Sequence, residues 1–289
     1  MSKTAIVTDE NSGLNRTRAE ELGIFLMPMP FFVNGEIKFE DVDMTKTEFY
    51  KALSEDADVS TSQPSPGDVM DLWTEILKEY DDLVYIPMSS GLSASCQSAK
   101  MFAEDFDGRV SVVDNHRISV TMERSVLDAL TLRDKGFNAC EIAKKLEEDA
   151  YNASIYITVE NLKYLKKGGR ITPAGAAIGA VLNIKPVLKI EGGKLDAYAK
   201  ERGMKKARHT MVSALQKDFE SKLKEFVDKD EIQLCISYSD VDDETLQGWV
   251  DEVKAAFPGR DIMITPLSLS IGCHIGPGAL AVAAAHVIR

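Results

Sequence analysis

Four serines and a glycine crowd into Ser89-Ser90-Gly91-Leu92-Ser93-Ala94-Ser95, directly after the apolar run Leu83 to Ile86 and before a stretch of helical spacing through Ala94, Ala99, Phe102 and Ala103. A short apolar run between Asp81-Asp82 and a proline reads as a buried parallel strand. A strand, turn and helix joined in this way leave backbone N–H groups unpaired beside the positive end of a helix dipole. Such a turn suits an anion, and a carboxylate or a phosphate would serve equally. Two other roles are open to Ser93. As a nucleophile in a hydrolase elbow it would need glycine two residues before and two after; only Gly91 is present, and none of the four histidines lies nearby in sequence. As a cap or turn former it would be purely structural. A second chemically suggestive stretch, Lys166-Lys167-Gly168-Gly169-Arg170, is a basic glycine turn without the spacing of a phosphate-binding P-loop, and a solvated turn explains it equally well. Cys96, Cys140, Cys235 and Cys273 are scattered, with no CxxC pair and no histidine at zinc-ligand spacing, as in reduced and mostly buried cysteines of a cytoplasmic protein.

The elements that must hold these groups follow a regular order. A chain of 289 residues suggests about two domains, and 44% hydrophobic with 7% aromatic residues is ordinary for a globular protein. The formal charge of −12 opposes nucleic acid binding. No signal peptide is apparent, and the weakly polar runs Ala174 to Ile184 and Ala279 to Ile288 fall short of the about 20 residues of a membrane span. Gly175 and Gly179 form a GxxxG that carries little weight outside a membrane. Thr4 to Thr8 reads as a strand ending in the polar loop Asp9 to Gly13, Arg16 to Leu22 as a helix stopped by Gly23, and Ile24 to Val33 as one extended run bent at Pro28 and Pro30. Asn34-Gly35 is a hairpin turn, Thr45 to Ser54 a helix, and Ser65-Pro66 a helix start. Val110 to Val113 and Ser119 to Asp134 complete an alternation that implies a parallel sheet with helices on both faces and a ligand beyond the strand ends. The pattern restarts at Ala153: Ile155 to Val159 is a strand, Leu162 to Lys167 and Thr172 to Leu182 are helices, and a hairpin turns at Glu191 to Lys194. Lys205 to Phe226 and Asp243 to Phe257 then read as helices, Ile232 to Tyr238 and Ile262 to Pro266 as strands. The second half is therefore α+β.

Five stretches taken together carry a resemblance. Thr61-Ser62-Gln63-Pro64-Ser65-Pro66, Ser89-Ser90-Gly91-Leu92-Ser93, Leu162 to Ile171, Leu182-Asn183-Ile184-Lys185-Pro186 and His274-Ile275-Gly276-Pro277-Gly278 resemble, in order, the signature stretches of the DegV family. The resemblance spans essentially the whole chain. It implies a bacterial cytoplasmic lipid-binding protein of two α/β domains, an N-terminal Rossmann-like parallel-sheet domain over residues 1–153 and an α+β domain over 154–289, with a long-chain fatty acid between them. It further implies a separate ATP-dependent fatty acid kinase as partner, to which the acyl carboxylate is presented to give acyl phosphate for phospholipid synthesis. Position by position, Thr61 and Ser93 fall on the carboxylate; Ser62, Gly91, Leu92 and Ala94 shape the pocket; Arg202 and His274 stand at its mouth and toward the kinase. No metal or cofactor is implied, the fatty acid being the ligand, and no nucleic acid partner or membrane span is expected. A lone Arg202 would otherwise read as a solvated charge, and a lone His274 as a turn residue.

The chain departs from the family pattern at Ala94, Ser95 and Cys96, where Gly, Thr and an aromatic are usual, at Asp9-Glu10, where Asp-Ser is common, and at Met204, where a basic residue is usual. The competing class is a free-standing enzyme, a serine hydrolase or phosphoryl transferase, acting on a small anion. The missing elbow glycine and the missing P-loop weigh against it.

Overall fold

The computed structural model describes residues 2–177 and 184–289. Leu182 and Asn183 of the fourth signature stretch, the end of the expected helix Thr172 to Leu182, and Gly179 lie outside the described residues.

The first half begins with β1 (Thr4–Asp9) and α1 (Arg16–Leu22), then β2 (Phe25–Met27), β3 (Phe31–Val33) and β4 (Glu36–Lys38). It continues through α2 (Lys46–Ser54), β5 (Val59–Thr61), α3 (Pro66–Ile76), β6 (Asp82–Ile86), α4 (Ser95–Ala103), β7 (Val110–Val112), α5 (Ser119–Asp134) and α6 (Ala139–Glu148). Local chemistry sets several of these limits. Asn15 caps α1 through the Arg18 N–H, and Gly23 ends it at φ +64°. Thr45 and Glu48 form a reciprocal capping box on α2, and Ser65 caps α3 with Pro66 in its first turn.

Strands β2, β1, β6 and β7 form, in that order, an all-parallel sheet. Its strands are apolar on both faces because both are covered: Ile6, Val84 and Ile86 pack under α1, α5 and α6, while Val7, Leu83 and Tyr85 pack with Val69 and Trp73 of α3. The expected single run from Ile24 to Val33 divides at Pro28-Met29-Pro30. Its first part joins this sheet as β2, and its second leaves for a three-stranded antiparallel sheet ordered β4-β3-β5. Asn34 and Gly35, both at positive φ, make the tight turn between β3 and β4.

The second half runs β8 (Ala153–Thr158), α7 (Lys163–Gly168), α8 (Pro173–Ala176), β9 (Ile184–Ile190), β10 (Asp196–Arg202), α9 (Met204–Glu220), α10 (Lys224–Asp228) and β11 (Ile232–Tyr238). α11 (Asp243–Ala256), β12 (Ile262–Pro266), α12 (Leu269–Ile275) and β13 (Leu280–His286) complete it. A mixed six-stranded sheet has the order β10-β9-β8-β13-β11-β12, with β11 and β12 parallel and the other neighbours antiparallel. The expected helix Lys205 to Phe226 is interrupted at residues 221–223, where the chain turns to bury Leu223 completely. β13 occupies the middle of the sheet although its sequence, Leu-Ala-Val-Ala-Ala-Ala-His, lacks a strong strand propensity.

One face of this sheet, with Tyr156, Val187, Leu234 and Val282, packs on α9 and α11. The other, with Ile157, Leu188 and Ala281, meets α7, α12 and, from the first half, Leu92 and Ile118. The three-stranded sheet also crosses over: Phe31, Phe49 and Val59 pack with Tyr164, Leu269 and Cys273. Cys96, Cys235 and Cys273 are buried, whereas Cys140 is exposed. Among the described residues no helix is long and apolar enough to cross a membrane.

Candidate ligand-binding cavity

A cavity of about 190 Å³ lies where the first half of the chain covers the inner face of the six-stranded sheet. Ile155 and Ile157 of β8, Ile190 of β9, Leu165 of α7 and Ile271 and Ile275 of α12 line it from the second half, and Met29, Met88, Leu92 and Ile118 from the first. Exposed Ser62 and Ala94 mark its mouth, together with half-buried Thr61, Ser93, Arg170 and His274. Most other polar groups of the lining are already engaged. The Ser119 and Ser237 hydroxyls bond each other at 3.0 Å, and the Ser270 hydroxyl donates to Asn11 Oδ1 at 2.6 Å.

Thr61 ends β5, and its Oγ1 lies 2.8 Å from His274 Nε2, one helical turn beyond Ser270 on α12. The Gln63 carboxamide accepts the Ser98 hydroxyl of α4 at 3.1 Å, so residues 61–63 run beside the helix whose approach carries Ser93. Burial, with the Arg170 guanidinium second, pushes His274 down to about 4, so its imidazole is neutral at pH 7. Its Nδ1 has no partner among the described residues. That ring fits because residue 168 is glycine: a Cβ there would meet Nδ1 at 2.1 Å. The first signature stretch, the basic glycine turn and the last signature stretch thus meet on one imidazole.

The serine turn differs from the expectation at residues 89–93. Its backbone amides are spent inside the protein: Ser89 N–H donates to Arg117 O, Ser90 N–H to Asp114 Oδ1, Gly91 N–H to Ser89 Oγ, and the Leu92 and Ser93 N–H groups to Ser89 O. α4 starts at Ser95 with no side-chain cap on its first turn, and Ser93 Oγ instead accepts the Ser95 N–H at 3.2 Å. The Ser93 hydroxyl hydrogen makes no hydrogen bond among the described residues. A ligand at the mouth therefore meets hydroxyls beside the uncapped first turn of α4, and not the amides of residues 89–93. The shortfall follows from the backbone's need to pair its own N–H groups once the turn is covered.

Of the residues singled out in the sequence, Thr61, Ser62, Leu92, Ser93, Ala94 and His274 line the cavity. Gly91 does not; it packs against the β9–β10 turn, where a Cβ would stand 2.5 Å from Gly192 O, and Ser89 Oγ–H donates to that same carbonyl. Arg202 is exposed at the end of β10, away from the lining. Cys96 is fully buried near Val113 O and is not among the described lining residues. Gln63, Arg170 and, Leu92 and Ala94 apart, the apolar wall were not singled out from the sequence. The first two sit inside stretches already noticed, but alternate residues of β8 and β9 give no local sign of which face lines a cavity.

Two buried carboxyls and the half-buried Glu40 hold the wall in place. Asp9 accepts the Met88 N–H at 3.0 Å, Glu10 the Met29 N–H at 2.7 Å, and Glu40 the Leu269 N–H at 2.7 Å. Burial raises Asp9 to about 6 and both glutamates to about 7, against the opposing effect of these bonds. Glu10, a departure from the family pattern, is thus part of the cavity's frame.

A family model described as an uncharacterised protein of the DegV family matches residues 3–287. The chain belongs to the DegV family. A DegV domain-containing protein of Caldanaerobacter subterraneus is 30% identical over 288 residues, 98% of this chain and 98% of the relative. Among solved structures, one described as fatty acid binding of a DegV family protein from Thermus thermophilus matches with a TM-score of 0.88 and 31% identity, covering 99% of this chain and 100% of that one. DegV of Bacillus subtilis, described as a fatty acid binding protein, matches with a TM-score of 0.84 and 26% identity over 99% and 100%. The parallel N-terminal sheet and mixed C-terminal sheet of this chain are those of the DegV structures. Among the described residues, no group of three or more His, Cys, Asp or Glu could hold a metal ion.

Proposed function

We propose that the protein binds a long-chain fatty acid, with the acyl tail in the apolar cavity and the carboxylate at Thr61 and Ser93. The observation that carries this reading is an apolar cavity whose mouth offers hydroxyls beside a neutral imidazole. A tail gains from burial, and charge-assisted hydrogen bonds from hydroxyls hold a carboxylate at about 1.5–3 kcal/mol each. The fatty acid binding described for the Thermus and Bacillus relatives supports the same ligand class. The tautomer of His274 matters. With the proton on Nε2, the ring donates to Thr61 Oγ1, and the Thr61 O–H is released to donate to the carboxylate.

The bound carboxylate stays at the mouth, between exposed Ser62 and Ala94, where a second protein can reach it. We assign that role to an ATP-dependent fatty acid kinase acting in the cytoplasm, with exposed Arg202 on the docking side and acyl phosphate for phospholipid synthesis as the product. The protein is then a non-catalytic substrate-presenting subunit. Among the described residues no hydrogen bond joins Ser93 to a histidine, which leaves the hydrolase alternative without its base.

Organic extraction of purified protein followed by mass spectrometry tests the ligand class. A straight or mono-unsaturated acyl chain of about 14–18 carbons is expected, since burying each methylene is favourable by about 0.8 kcal/mol. Extracts without lipid, together with no uptake of added palmitate, would remove the reading.

A further inference from the structure

Behind the apolar cavity lies a second one of about 460 Å³, lined by His116, Arg117, Tyr151, Ala153, Glu191 and Lys222 among others. Tyr151 is 62% exposed, so this second space opens toward solvent. Among the described residues, two line both cavities, Ile155 and Ile190. They are direct cross-strand partners on β8 and β9. Side chains two apart on a strand share a face about 7 Å apart. Along β8 the inner face therefore passes from Ile157, in the first cavity, through Ile155, in both, to Ala153, in the second. The segment opposite divides in the same way: Ile118, Ser119 and Val120 face the first cavity, His116, Arg117 and Thr121 the second. The mouth residue His274 packs near α7, which follows the other end of β8, so Ile155 and Ile190 stand at the far end from the mouth.

Resting on the fatty-acid reading, we propose that the Ile155–Ile190 pair is a partition one side chain thick that sets the longest acyl chain the protein accepts, and that the cavity behind it receives the chain end when the pair is cut back. In the intact protein a chain that outgrows the first cavity must either displace both isoleucines or leave its terminal methylenes at the mouth. Breaching the wall would put an alkyl end among Ala150, Tyr151 and Ala153, with Arg117, Glu191 and Lys222 bordering the same space.

The test is a binding ladder with saturated fatty acids from lauric to behenic, measured by displacement of a fluorescent fatty acid. Intact protein, Ile155→Ala, Ile190→Ala, the double variant, and Ala153→Leu in intact and double backgrounds are compared. The double variant is expected to bind behenate relative to palmitate about tenfold better than the intact protein does, the gain that one or two newly buried methylenes give. Ala153→Leu should cancel that gain in the double background, because it fills the space behind the wall, and should leave the intact profile unchanged. Ile155→Val and Ile155→Phe, smaller perturbations to folding, should move the length limit up and down respectively. An unchanged length profile in variants that still bind palmitate overturns the partition. A gain that persists with Ala153→Leu also overturns it, because the variants have then merely loosened. Failure of the intact protein to bind any member of the ladder overturns the fatty-acid reading itself.

Discussion

Replacing Thr61 with valine keeps the shape of the side chain and removes only the hydroxyl that bonds His274 Nε2 at 2.8 Å. Two consequences follow, and they are separable. In the ligand-bound state the carboxylate loses one charge-assisted hydrogen bond, worth about 1.5–3 kcal/mol net, so Kd for palmitate should rise by about 10- to 150-fold. In the ligand-free state His274 loses its hydrogen bond on Nε2 while Nδ1 has none among the described residues, and orphaning a buried polar group costs about 1–3 kcal/mol. Thr61→Val should therefore also lower the urea midpoint of the ligand-free protein, whereas Thr61→Ser, which keeps the hydroxyl, should hold both affinity and midpoint near those of the intact chain. Calorimetric titration and urea unfolding give the two numbers, and ¹⁵N chemical shifts of the His274 ring should place the proton on Nε2 when palmitate is bound. Palmitate affinity in Thr61→Val within about twofold of the intact protein would refute the head-group assignment, since so small a change is under 0.5 kcal/mol.

Ser93→Ala removes both a proposed carboxylate donor and the acceptor of the Ser95 N–H, so a stability loss of about 0.5–2 kcal/mol should accompany weaker palmitate binding. Affinity that survives intact would move the head group away from this turn. Glu10→Gln keeps an acceptor for the Met29 N–H while removing a carboxyl that burial raises from 4.5 to about 7. Between those values the folded protein holds a proton that the unfolded chain has released, so this group makes the intact protein less stable as pH rises and stops contributing below about 4.5. At about 1.4 kcal/mol per pH unit, the stability of Glu10→Gln relative to the intact chain should grow by about 3 kcal/mol from pH 4.5 to pH 7, and a flat difference in urea midpoints would contradict this. Arg202→Ala, exposed and outside the lining, should leave palmitate affinity unchanged while abolishing acyl phosphate formation with a fatty acid kinase and ATP; unchanged turnover would take Arg202 off the docking surface.

The parts of this fold that were legible in the sequence are those whose cause is short-range. Asn15, Thr45 and Ser65 each satisfy an N–H three residues on, Gly23 accepts a left-handed φ, and Asn34-Gly35 closes a two-residue turn, so element ends could be read residue by residue. The serine turn and four of the five ordered stretches likewise pointed to the neighbourhood of the mouth. What only the tertiary structure decided is where groups distant in sequence meet. Six small or apolar residues before His286 become a central strand because neighbouring strands supply the hydrogen bonds and both faces are covered, a cause absent from the segment itself. The amides of the serine turn are spent on Arg117 O and Asp114, and the Thr61 hydroxyl is matched by an imidazole 213 positions away. The same holds for Ile155 and Ile190: their alternation marks a strand, but that they face a cavity, and not a helix as Tyr156 and Val187 do, depends on what the first half of the chain lays over the sheet.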